Sequence, residues 1–274
     1  CPQCDVALTY HKYHGRLACH YCGYEEALPT RCPSCGEPKP SPLGFGTEQV
    51  EEEVKVRFPG ISTIRMDTDT TRASGAFTRL LDRFQKGEAQ VLIGTQMVSK
   101  GLDFSRVRVV GVLNADQMLA FPDFRAHERA FQLMAQVGGR GGRRDRQGLV
   151  IVQTGRPDNP VIRHVVNQDF TAFFNEEMMV RQLFGYPPYG RIIHLSFRHI
   201  DQQIVRQAAL FYAEACRERF GHRLLGPDQP QVGRVRNQYR QSLLLKLGLD
   251  ESAADAKCFL LQQREALKAD ARFR

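Results

Sequence analysis

The sequence predicts an α/β protein with a small metal-binding region at its start, and three observations support this prediction. Three C-x-x-C pairs lie within the first 35 residues. Between residues 47 and 153, short β-branched runs alternate with amphipathic helical patterns, which is typical of a parallel sheet with crossover helices. From about residue 179 the order becomes strand, helix, strand, helix, which indicates a smaller α+β sandwich domain. We therefore expect a zinc-binding region over 1–42, an α/β lobe over 43–178 and a C-terminal domain over 179–274.

The first two cysteine pairs have the spacing of zinc ligands. They form a C-x2-C-x14-C-x2-C pattern made by Cys1, Cys4, Cys19 and Cys22. A C-x-x-C turn places two thiolates on one tetrahedral Zn²⁺ at about 2.3 Å, and two such turns close a structural site. Disulfides are the alternative, but they suit a secreted protein, and no secretory signal opens this chain.

The third pair, Cys32 and Cys35, has no fourth pair in this chain to complete a second site. Because the chain begins with Cys1 rather than Met, we expect it to be a piece of a longer protein, with the missing pair upstream. Histidines near the pairs are alternative ligands, although a histidine in such a loop is commonly just solvated; they are His11, His14 and His20. The isolated Cys216 and Cys258 are expected to be buried small hydrophobes.

The α/β lobe follows a Pro- and Gly-rich linker over 37–46. Thr47 is expected to cap a helix whose apolar stripe contains Val50, Val54 and Phe58. The remaining elements alternate in type: strands at 61–66, 90–94, 107–113 and 148–153, and helices at 73–86 and 124–137. The runs at 90–94 and 107–113 are apolar on both faces, which predicts a buried parallel sheet, and 148–153 is predicted to be another buried strand.

The first strand of the C-terminal domain is predicted to begin after a turn-forming segment at 186–190, whose sequence is YPPYG. Strands are expected at 191–197 and 239–247, and helices at 201–220 and 252–267. The first helix is expected to place four apolar residues inside: Ile204, Ala208, Phe211 and Ala215. Since no further strand follows before residue 274, we expect truncation at this end as well.

The charge is concentrated in this last third of the chain. The net charge is +8, and residues 179–274 carry sixteen Lys and Arg against nine Asp and Glu. This excess predicts a polyanionic partner, with a solvated basic surface as the alternative. Arg234, Arg236 and Arg240 form the densest cluster, and Tyr239 beside them either stacks on a base or belongs to the core. No apolar run approaches the roughly 20 residues of a membrane span, which indicates a soluble, cytoplasmic protein.

Two segments carry most of the chemical information: 94–104, with sequence GTQMVSKGLDF, and 136–143, with sequence QVGGRGGR. In the first, a strand ends in Gly94 and Thr95, at the sheet edge where α/β folds bind phosphates. In the second, Arg140 and Arg143 stack one above the other if the segment is helical, so both reach one polyphosphate. A flexible Arg/Gly-rich RNA-binding tract is the alternative for the second segment, and an ordinary strand end and surface lysine are the alternatives for Thr95 and Lys100.

These segments resemble motifs V and VI, GT…GxD and QxxGRxGR, of the second RecA-like lobe of superfamily 2 helicases. The order of further segments is similar to the PriA family of bacterial replication-restart helicases. In that order they are the zinc knuckles, Gly44–Gln49, Arg65–Thr71, Pro122–Arg125 and Tyr186–Tyr189. The resemblance implies a RecA-like helicase lobe with an inserted zinc ribbon and a C-terminal domain. It also implies that the parent protein is an ATP-driven 3′→5′ DNA helicase of replication restart and primosome assembly.

The resemblance further implies roles for single residues. Arg140 and Arg143 are expected to be arginine fingers, and Gln136 is expected to contact the γ-phosphate or its attacking water. Gly101 and Asp103 are expected on the nucleotide side of motif V. Contact with the DNA backbone, or coupling of DNA to ATP, is expected of Thr95, Gln96 and Lys100. In family terms Cys32 and Cys35 share a second zinc with an upstream pair.

The resemblance implies that the cofactors are Zn²⁺, ATP and Mg²⁺. It also implies that the partners are forked or single-stranded DNA, the single-stranded-DNA-binding protein and primosome proteins. No G-x-x-x-x-G-K-[ST] motif occurs in the sequence, so we expect this chain alone to have no ATPase activity. The alternative function is a non-enzymatic zinc-ribbon nucleic-acid-binding protein with a purely structural α/β core.

Overall fold

The computed structural model describes residues 1–11, 15–32, 34–38, 46–95, 98, 107–138 and 148–273. It contains two compact units, one formed by Cys1–Pro40 together with Met178–Arg274 and the other by Ser41–Glu177. The cysteine-rich segment therefore shares a unit with the C-terminal segment. The division into three domains stays a prediction. Among the helices in the described ranges, none is both long and apolar enough to cross a bilayer.

The cysteine-rich segment folds into a three-stranded antiparallel sheet of order β1–β2–β3. Its strands are β1 (Thr9–His11), β2 (Arg16–Ala18) and β3 (Glu25–Ala27). The turn after the second cysteine pair closes when the Gly23 amide donates to the Cys19 carbonyl at 2.9 Å. Gly23 has φ +79°, a left-handed conformation that glycine adopts without steric cost.

The second unit alternates helices and strands. Its elements are α1 (Thr47–Arg57), β4 (Thr63–Met66), α2 (Ala76–Gln85), β5 (Val91–Gly94), β6 (Val109–Val112), α3 (Ala115–Leu119), α4 (Ala126–Gly138), β7 (Leu149–Val152), α5 (Pro160–Val166) and the start of α6 (Phe170–Leu183). The pairs β4–β5 and β6–β7 are both parallel, which confirms the predicted strand direction. The sequence patterns did not predict α3, α5 or α6.

Two apolar clusters hold this unit together. The apolar face of α2 packs on Ile64 and Met66 of β4, and Met66 is fully buried. This face consists of Phe77, Leu80, Leu81 and Phe84. The second cluster joins α4 to α3, α5 and α6, and in it the rings of Phe131 and Phe173 stack with centroids 4.2 Å apart. The amphipathic patterns over α2 and α4 therefore did identify core-facing helices.

Three expectations for this unit were wrong. The strands β6 and β7 are not buried on both faces, because Val112 and Val152 pack into the second cluster while Val109 and Ile151 on the opposite face are more than half exposed. Thr47 is the first residue of α1 rather than its cap, and Gly46 is the N-cap. The Thr47 hydroxyl is engaged elsewhere, since it donates to Asp67 at 2.5 Å. Phe58, expected in an apolar stripe, is also exposed.

The C-terminal segment contains an antiparallel sheet with two long helices. Its elements are β8 (Arg191–His199), α7 (Gln202–Phe220), β9 (Leu224–Asp228), β10 (Arg234–Val235), β11 (Gln238–Leu247) and α8 (Ala253–Ala269). The sheet order is β10–β11–β8, and β9 also pairs with β11. Both helices begin within one residue of where the sequence predicts. The side chains of Asp201 and Ser252 cap them by accepting hydrogen bonds from the first-turn amides. The predicted strands and helices are confirmed, and β9 and β10 are additional.

The buried face of α7 matches the expected one only in part. Of the four expected residues, Ala208 is buried, Ile204 and Ala215 are half-buried and Phe211 is exposed. The buried face also contains Val205, Ala209 and Tyr212, which were not expected there. The helix carries two neighbouring apolar stripes, and packing against α8 selects the one whose Tyr212 hydroxyl donates to the Leu260 carbonyl at 2.7 Å. Cys216 lies on this face and is fully buried, as expected.

The other isolated cysteine contradicts the expectation. Cys258 is exposed, because α8 turns Ala256 and Leu260 toward the core and leaves residue 258 on the outer side.

Candidate zinc centre and nucleic-acid interface

The first two cysteine pairs meet in one cluster. The Sγ atoms of Cys1, Cys4, Cys19 and Cys22 all lie within 4.8 Å of one another. Cys1 Sγ and Cys22 Sγ are 3.6 Å apart, far longer than a disulfide bond, and all four thiols are free. Cys4 and Cys19 are almost fully buried. The structure thus brings together the four predicted ligands, and neither His11 nor His20 joins them.

Backbone amides surround these sulfur atoms. The Gln3 amide donates to Cys1 Sγ at 3.4 Å, and the Tyr24 amide donates to Cys22 Sγ at 3.4 Å. Burial raises the pKa of the Cys19 thiol, but hydrogen bonds from the Cys22 and Tyr21 backbone outweigh burial and leave the pKa below its ordinary value. Thiolates held by amide donors are the ligands that Zn²⁺ takes in structural sites, so the residues present fit this metal. Four protein ligands leave no open position, which indicates a structural role.

The third pair lies apart from this cluster. Cys32 and Cys35 sit in a knuckle closed by the Cys32 amide, which donates to the Glu37 carbonyl at 2.8 Å. Hydrogen bonds from the Cys35 and Ser34 backbone hold the pKa of Cys32 below its ordinary value. Across the described residues, no second group of three or more metal-ligand side chains comes as close together as the first four cysteines.

The two candidate histidine ligands that the structure describes are not part of the cluster. The rings of His11 and His20 meet edge to face with centroids 5.2 Å apart, and neither joins the four cysteines. His14 lies outside the described residues.

The carboxyl edge of β4 and β5 carries a polar cluster that the sequence analysis did not assign a role. Met66 pairs with Gly94 in the parallel register, so Asp67 and Thr95 follow their strands at the same edge. Asp67 Oδ1 accepts the amides of Asp69 at 3.0 Å and Thr70 at 2.9 Å. Thr95 itself is exposed. The signal available in the sequence was Asp67 directly after a strand, followed by Thr68, Asp69 and Thr70.

Asp67 is a buried carboxylate with several partners. Its Oδ2 accepts from Thr47 at 2.5 Å and lies 3.1 Å from Arg65 Nε. Arg65 also contacts Glu48 at 2.7 Å. Burial raises the pKa of Asp67, but the Thr47 hydroxyl, the Thr70 amide and hydroxyl and the Arg65 charge together hold it below its ordinary value. Asp67 is therefore ionised and fixes the start of α1 against the end of β4.

A second carboxylate organises the edge of β6 and β7. Asp116 accepts the Thr154 hydroxyl and the Gly155 amide, both at 2.7 Å. These two hydrogen bonds hold the pKa of Asp116 below its ordinary value. Asp116 lies in α3 and Thr154 follows β7, so this contact positions the loop after each strand.

Most of the predicted nucleotide and DNA residues of the lobe fall outside the described residues. These are Gln96, Lys100, Gly101, Asp103, Arg140 and Arg143. Gln136 is described, and it is exposed on the last turn of α4. The roles of these residues and of Thr95 stay predictions.

The three arginines of the predicted basic cluster lie on the hairpin formed by β10 and β11, but they are not equivalent. Arg234 pairs with Asp5 at 3.2 Å and lies 5.8 Å from the Tyr239 ring. Arg240 is the next residue along β11 after Tyr239 and therefore points to the opposite face of the sheet. The pleat thus separates Arg240 from Arg234.

A residue that sequence reasoning missed joins Arg240. Arg198 on β8 stands directly opposite Arg240 in the antiparallel register. Ser196 and Ser242 form the next pair on this face. Within the described residues, neither arginine has a carboxylate partner. The alternation of β8, with His194, Ser196 and Arg198 on one face, was the signal that could have found it.

Comparisons with known proteins agree with these features in chain order. The family described as PriA DNA helicase Cys-rich region (CRR) domain matches residues 1–26. The helicase conserved C-terminal domain matches 45–145, and the primosomal protein N C-terminal domain matches 182–274.

Curated relatives extend over nearly the whole chain. The replication restart protein PriA of Bacillus subtilis is 41% identical over 248 residues, which are 90% of this chain and 31% of that protein. PriA of Synechocystis is 41% identical over 252 residues, covering 90% of this chain and 30% of that protein. The chain thus spans about a third of the length of the curated relatives it matches. A weaker likeness is to the solved C-terminal domain of the DEAD-box protein Dbp5, with a TM-score of 0.33 and 20% identity over 51% of this chain and 78% of that one.

The parallel α/β unit and its matched domain define a helicase C-terminal lobe, accompanied by a zinc ribbon. The chain belongs to the PriA family and covers the C-terminal part of those proteins.

Proposed function

We propose that this chain is the C-terminal part of an ATP-dependent 3′→5′ DNA helicase that acts in replication restart and primosome assembly. The observation that carries the proposal is the succession of cysteine-rich, helicase and C-terminal domains in one chain, matched by curated PriA proteins. The helicase domain supplies the second of two lobes that close on ATP. The first lobe, with its P-loop and Mg²⁺ site, belongs to the remainder of the parent protein.

In the parent, the lobe supplies charge to the transferring phosphate. Arg140 and Arg143 act as arginine fingers, and Gln136 orients the γ-phosphate or its attacking water. Gly101 and Asp103 face the nucleotide. The exposed position of Gln136 at the end of α4 is compatible with this role.

DNA contacts are proposed for the lobe and, separately, for the C-terminal domain. Thr95, Gln96 and Lys100 are proposed contacts to the DNA backbone, and Thr95 supports this by following β5 at the carboxyl edge. The hairpin arginines Arg234, Arg236 and Arg240 are the proposed contacts of the C-terminal domain.

We add Arg198 to these contacts. Like charges directly opposite each other on neighbouring strands destabilise a sheet, and a bound phosphate offsets this repulsion. Lys246 lies on the same face but is already engaged, because its Nζ donates to the Phe184 carbonyl at 2.8 Å and lies 4.1 Å from the Tyr186 ring centre. The pair of Arg198 and Arg240 is therefore the phosphate contact of this face.

The zinc centre has a structural part in this function. Cys1, Cys4, Cys19 and Cys22 hold one Zn²⁺, and Cys32 with Cys35 supplies half of a second site in the parent. The proposed partners are forked and single-stranded DNA, the single-stranded-DNA-binding protein and primosome proteins, in the cytoplasm.

The test uses the full-length parent protein. Arg140→Ala and Arg143→Ala are each expected to lower DNA-stimulated ATP turnover by about 10³-fold or more, the usual loss for an arginine finger. Arg129→Ala on α4, whose guanidinium pairs with Asp123 at 2.8 Å, is the matched control and is expected to keep near-normal turnover. The chain of residues 1–274 alone is expected to show no ATPase activity. A parent with Arg143→Ala and normal turnover would refute the finger assignment, and DNA binding without any ATPase in the parent would favour a non-enzymatic zinc-ribbon protein.

A further inference from the structure

The turn between β10 and β11 lies against the zinc knuckle. Arg234 pairs with Tyr239 and Val235 pairs with Gln238, so the hairpin closes with a two-residue turn. The turn residues Arg236 and Asn237 have φ +53° and +59°. Positive φ at both positions is the pattern of the tight type I′ turn that suits a twisted hairpin.

Three hydrogen bonds donated by backbone amides join this turn to the residues around Cys4. The Asp5 amide donates to the Arg234 carbonyl at 2.9 Å, and the Asn237 amide donates to the Gln3 carbonyl at 2.8 Å. Between them, the Arg236 amide donates to Cys4 Sγ at 3.3 Å. The ion pair of Arg234 with Asp5 lies at the side of this contact.

Cys4 differs from two of the other ligands in the source of its amide donor. Cys1 and Cys22 accept from Gln3 and Tyr24, which are two positions away in their own knuckles. The donor to Cys4 lies 232 positions further along the chain. Cys4 is only 1% exposed, so water does not replace this donor if it is lost.

We infer that the β10–β11 turn is part of the zinc centre, and that the Arg236 amide is an outer donor that holds the Cys4 thiolate for the metal. The inference rests on the zinc-binding part of the proposed function. A hydrogen bond to a ligating sulfur fixes the orientation of that ligand toward the metal, and its loss lowers metal affinity. The coupling between zinc binding and the ordered hairpin is reciprocal. Zinc therefore stabilises the ordered hairpin by the same free energy by which the ordered hairpin strengthens zinc binding. The C-terminal segment and the metal therefore stabilise each other.

The test removes the Arg236 N–H without changing any side chain. In the 274-residue chain, semisynthesis replaces the amide at position 236 by an ester, and zinc release to a chelator is measured. The loss of an outer-shell hydrogen bond typically costs about 10- to 100-fold in metal affinity, so we expect release to be about tenfold faster or more. The matched control is an ester at position 240, whose amide donates to the Gly233 carbonyl at 2.8 Å in the same hairpin. This control is expected to release zinc within about twofold of the unmodified rate, because it leaves Cys4 untouched.

Equal release rates for the 236 and 240 esters would overturn the inference. A 236 ester that releases zinc at the unmodified rate would overturn it as well. If the unmodified chain contains no zinc after purification, the proposed zinc centre itself fails, which separates the two failures. Arg236→Gly, which keeps the N–H and suits positive φ, is expected to leave release unchanged.

A second measurement needs no variant and therefore does not depend on the ester folding. Amide hydrogen exchange is compared between zinc-loaded and chelator-treated protein. The Arg236 and Asn237 amides are expected to exchange about tenfold faster or more without zinc, whereas the amide of buried Leu245 is the internal control and changes little. Equal exchange of Arg236 in both states would contradict the coupling.

Discussion

Arg198 and Arg240 stand opposite each other on β8 and β11, two cations on one sheet face without a carboxylate partner within the described residues. We predict that the double variant Arg198→Ala/Arg240→Ala weakens single-stranded DNA binding by the 274-residue chain, equally for unrelated sequences. Each phosphate contact contributes about 0.7 to the slope of log affinity against log salt for single strands, so the slope is expected to fall by about 1.4. Binding titrations at several salt concentrations measure this slope for the unmodified chain and for the double variant.

The control for this pair is Arg264→Ala, an exposed arginine of α8 that pairs with Glu265. It is expected to keep the slope. If the slope falls instead with Arg234→Ala and Arg236→Ala, the contact lies at β10 and the β10–β11 turn rather than on the face of Arg198 and Arg240. An unchanged slope in all variants would move the DNA contact elsewhere.

The cysteine cluster predicts the metal content of the purified chain. We expect about one Zn²⁺ per chain without added metal, because a closed four-cysteine site binds too tightly to be emptied by purification. Cys19→Ser is expected to lose most of this zinc, whereas Cys258→Ser on the outer side of α8 retains it. Elemental analysis is the measurement, and fewer than about half an equivalent in the unmodified chain would contradict the site.

The buried Asp67 carboxylate predicts a pH-dependent stability. Asp67→Asn is expected to lower the free energy of unfolding by about 1–3 kcal/mol at pH 7, since it disturbs the contacts with Thr47 and Arg65. The pKa of Asp67 is lowered by folding, so its contribution is complete above the unfolded value of about 4 and disappears as the pH falls through the folded value. The difference between the two proteins should therefore shrink below about pH 4.

Urea unfolding followed by circular dichroism is the suitable measurement for Asp67→Asn, because the chain has no tryptophan. Asp82→Asn, on the exposed side of α2, is the control and is expected to show no such pH dependence. A constant difference from pH 7 to pH 3 would show that the charge of Asp67 is not the cause.

Gly94 sits where a side chain does not fit. A Cβ at this position would lie 2.6 Å from the Met66 carbonyl oxygen and 2.6 Å from Val98 Cγ1. Gly94→Ala is expected to destabilise the lobe by about 1–3 kcal/mol, the usual cost of overpacking. Gly111→Ala in β6, where a Cβ meets nothing within 4 Å, is the matched control and should cost much less. Equal unfolding midpoints for both variants would contradict the close approach of β4 and β5.

The two isolated cysteines are predicted to differ in reactivity. Cys216 is fully buried, and burial raises its pKa to about 11, so very little thiolate forms at pH 7. Cys258 is exposed. A thiol reagent followed by peptide mass spectrometry should modify Cys258 in the native zinc-loaded protein and Cys216 only after denaturation. Rapid native labelling of Cys216 would show that the α7 core is open.

The sequence alone determined those features whose causes are local along the chain. The cysteine spacing identified the four clustered ligands because a C-x-x-C turn fixes two sulfur atoms within a few residues. The 3.6-residue period found α2, α4, α7 and α8, and the β-branched runs found the parallel strands, because the burial of a periodic stripe requires that element. The order of the motifs along the chain was sufficient to identify the family.

The tertiary structure decided what depends on partners distant in the chain. Tertiary packing determines which of two neighbouring apolar stripes on α7 is buried. The Thr47 hydroxyl binds Asp67 rather than capping α1, and Cys258 lies on the exposed side of α8. The tertiary structure also divided the basic cluster between two sheet faces and brought the Arg236 amide to Cys4. Such contacts join residues that are far apart in the chain, and they produce no periodic pattern in the sequence. Only the packing of complete helices and strands determines which of these side chains meet.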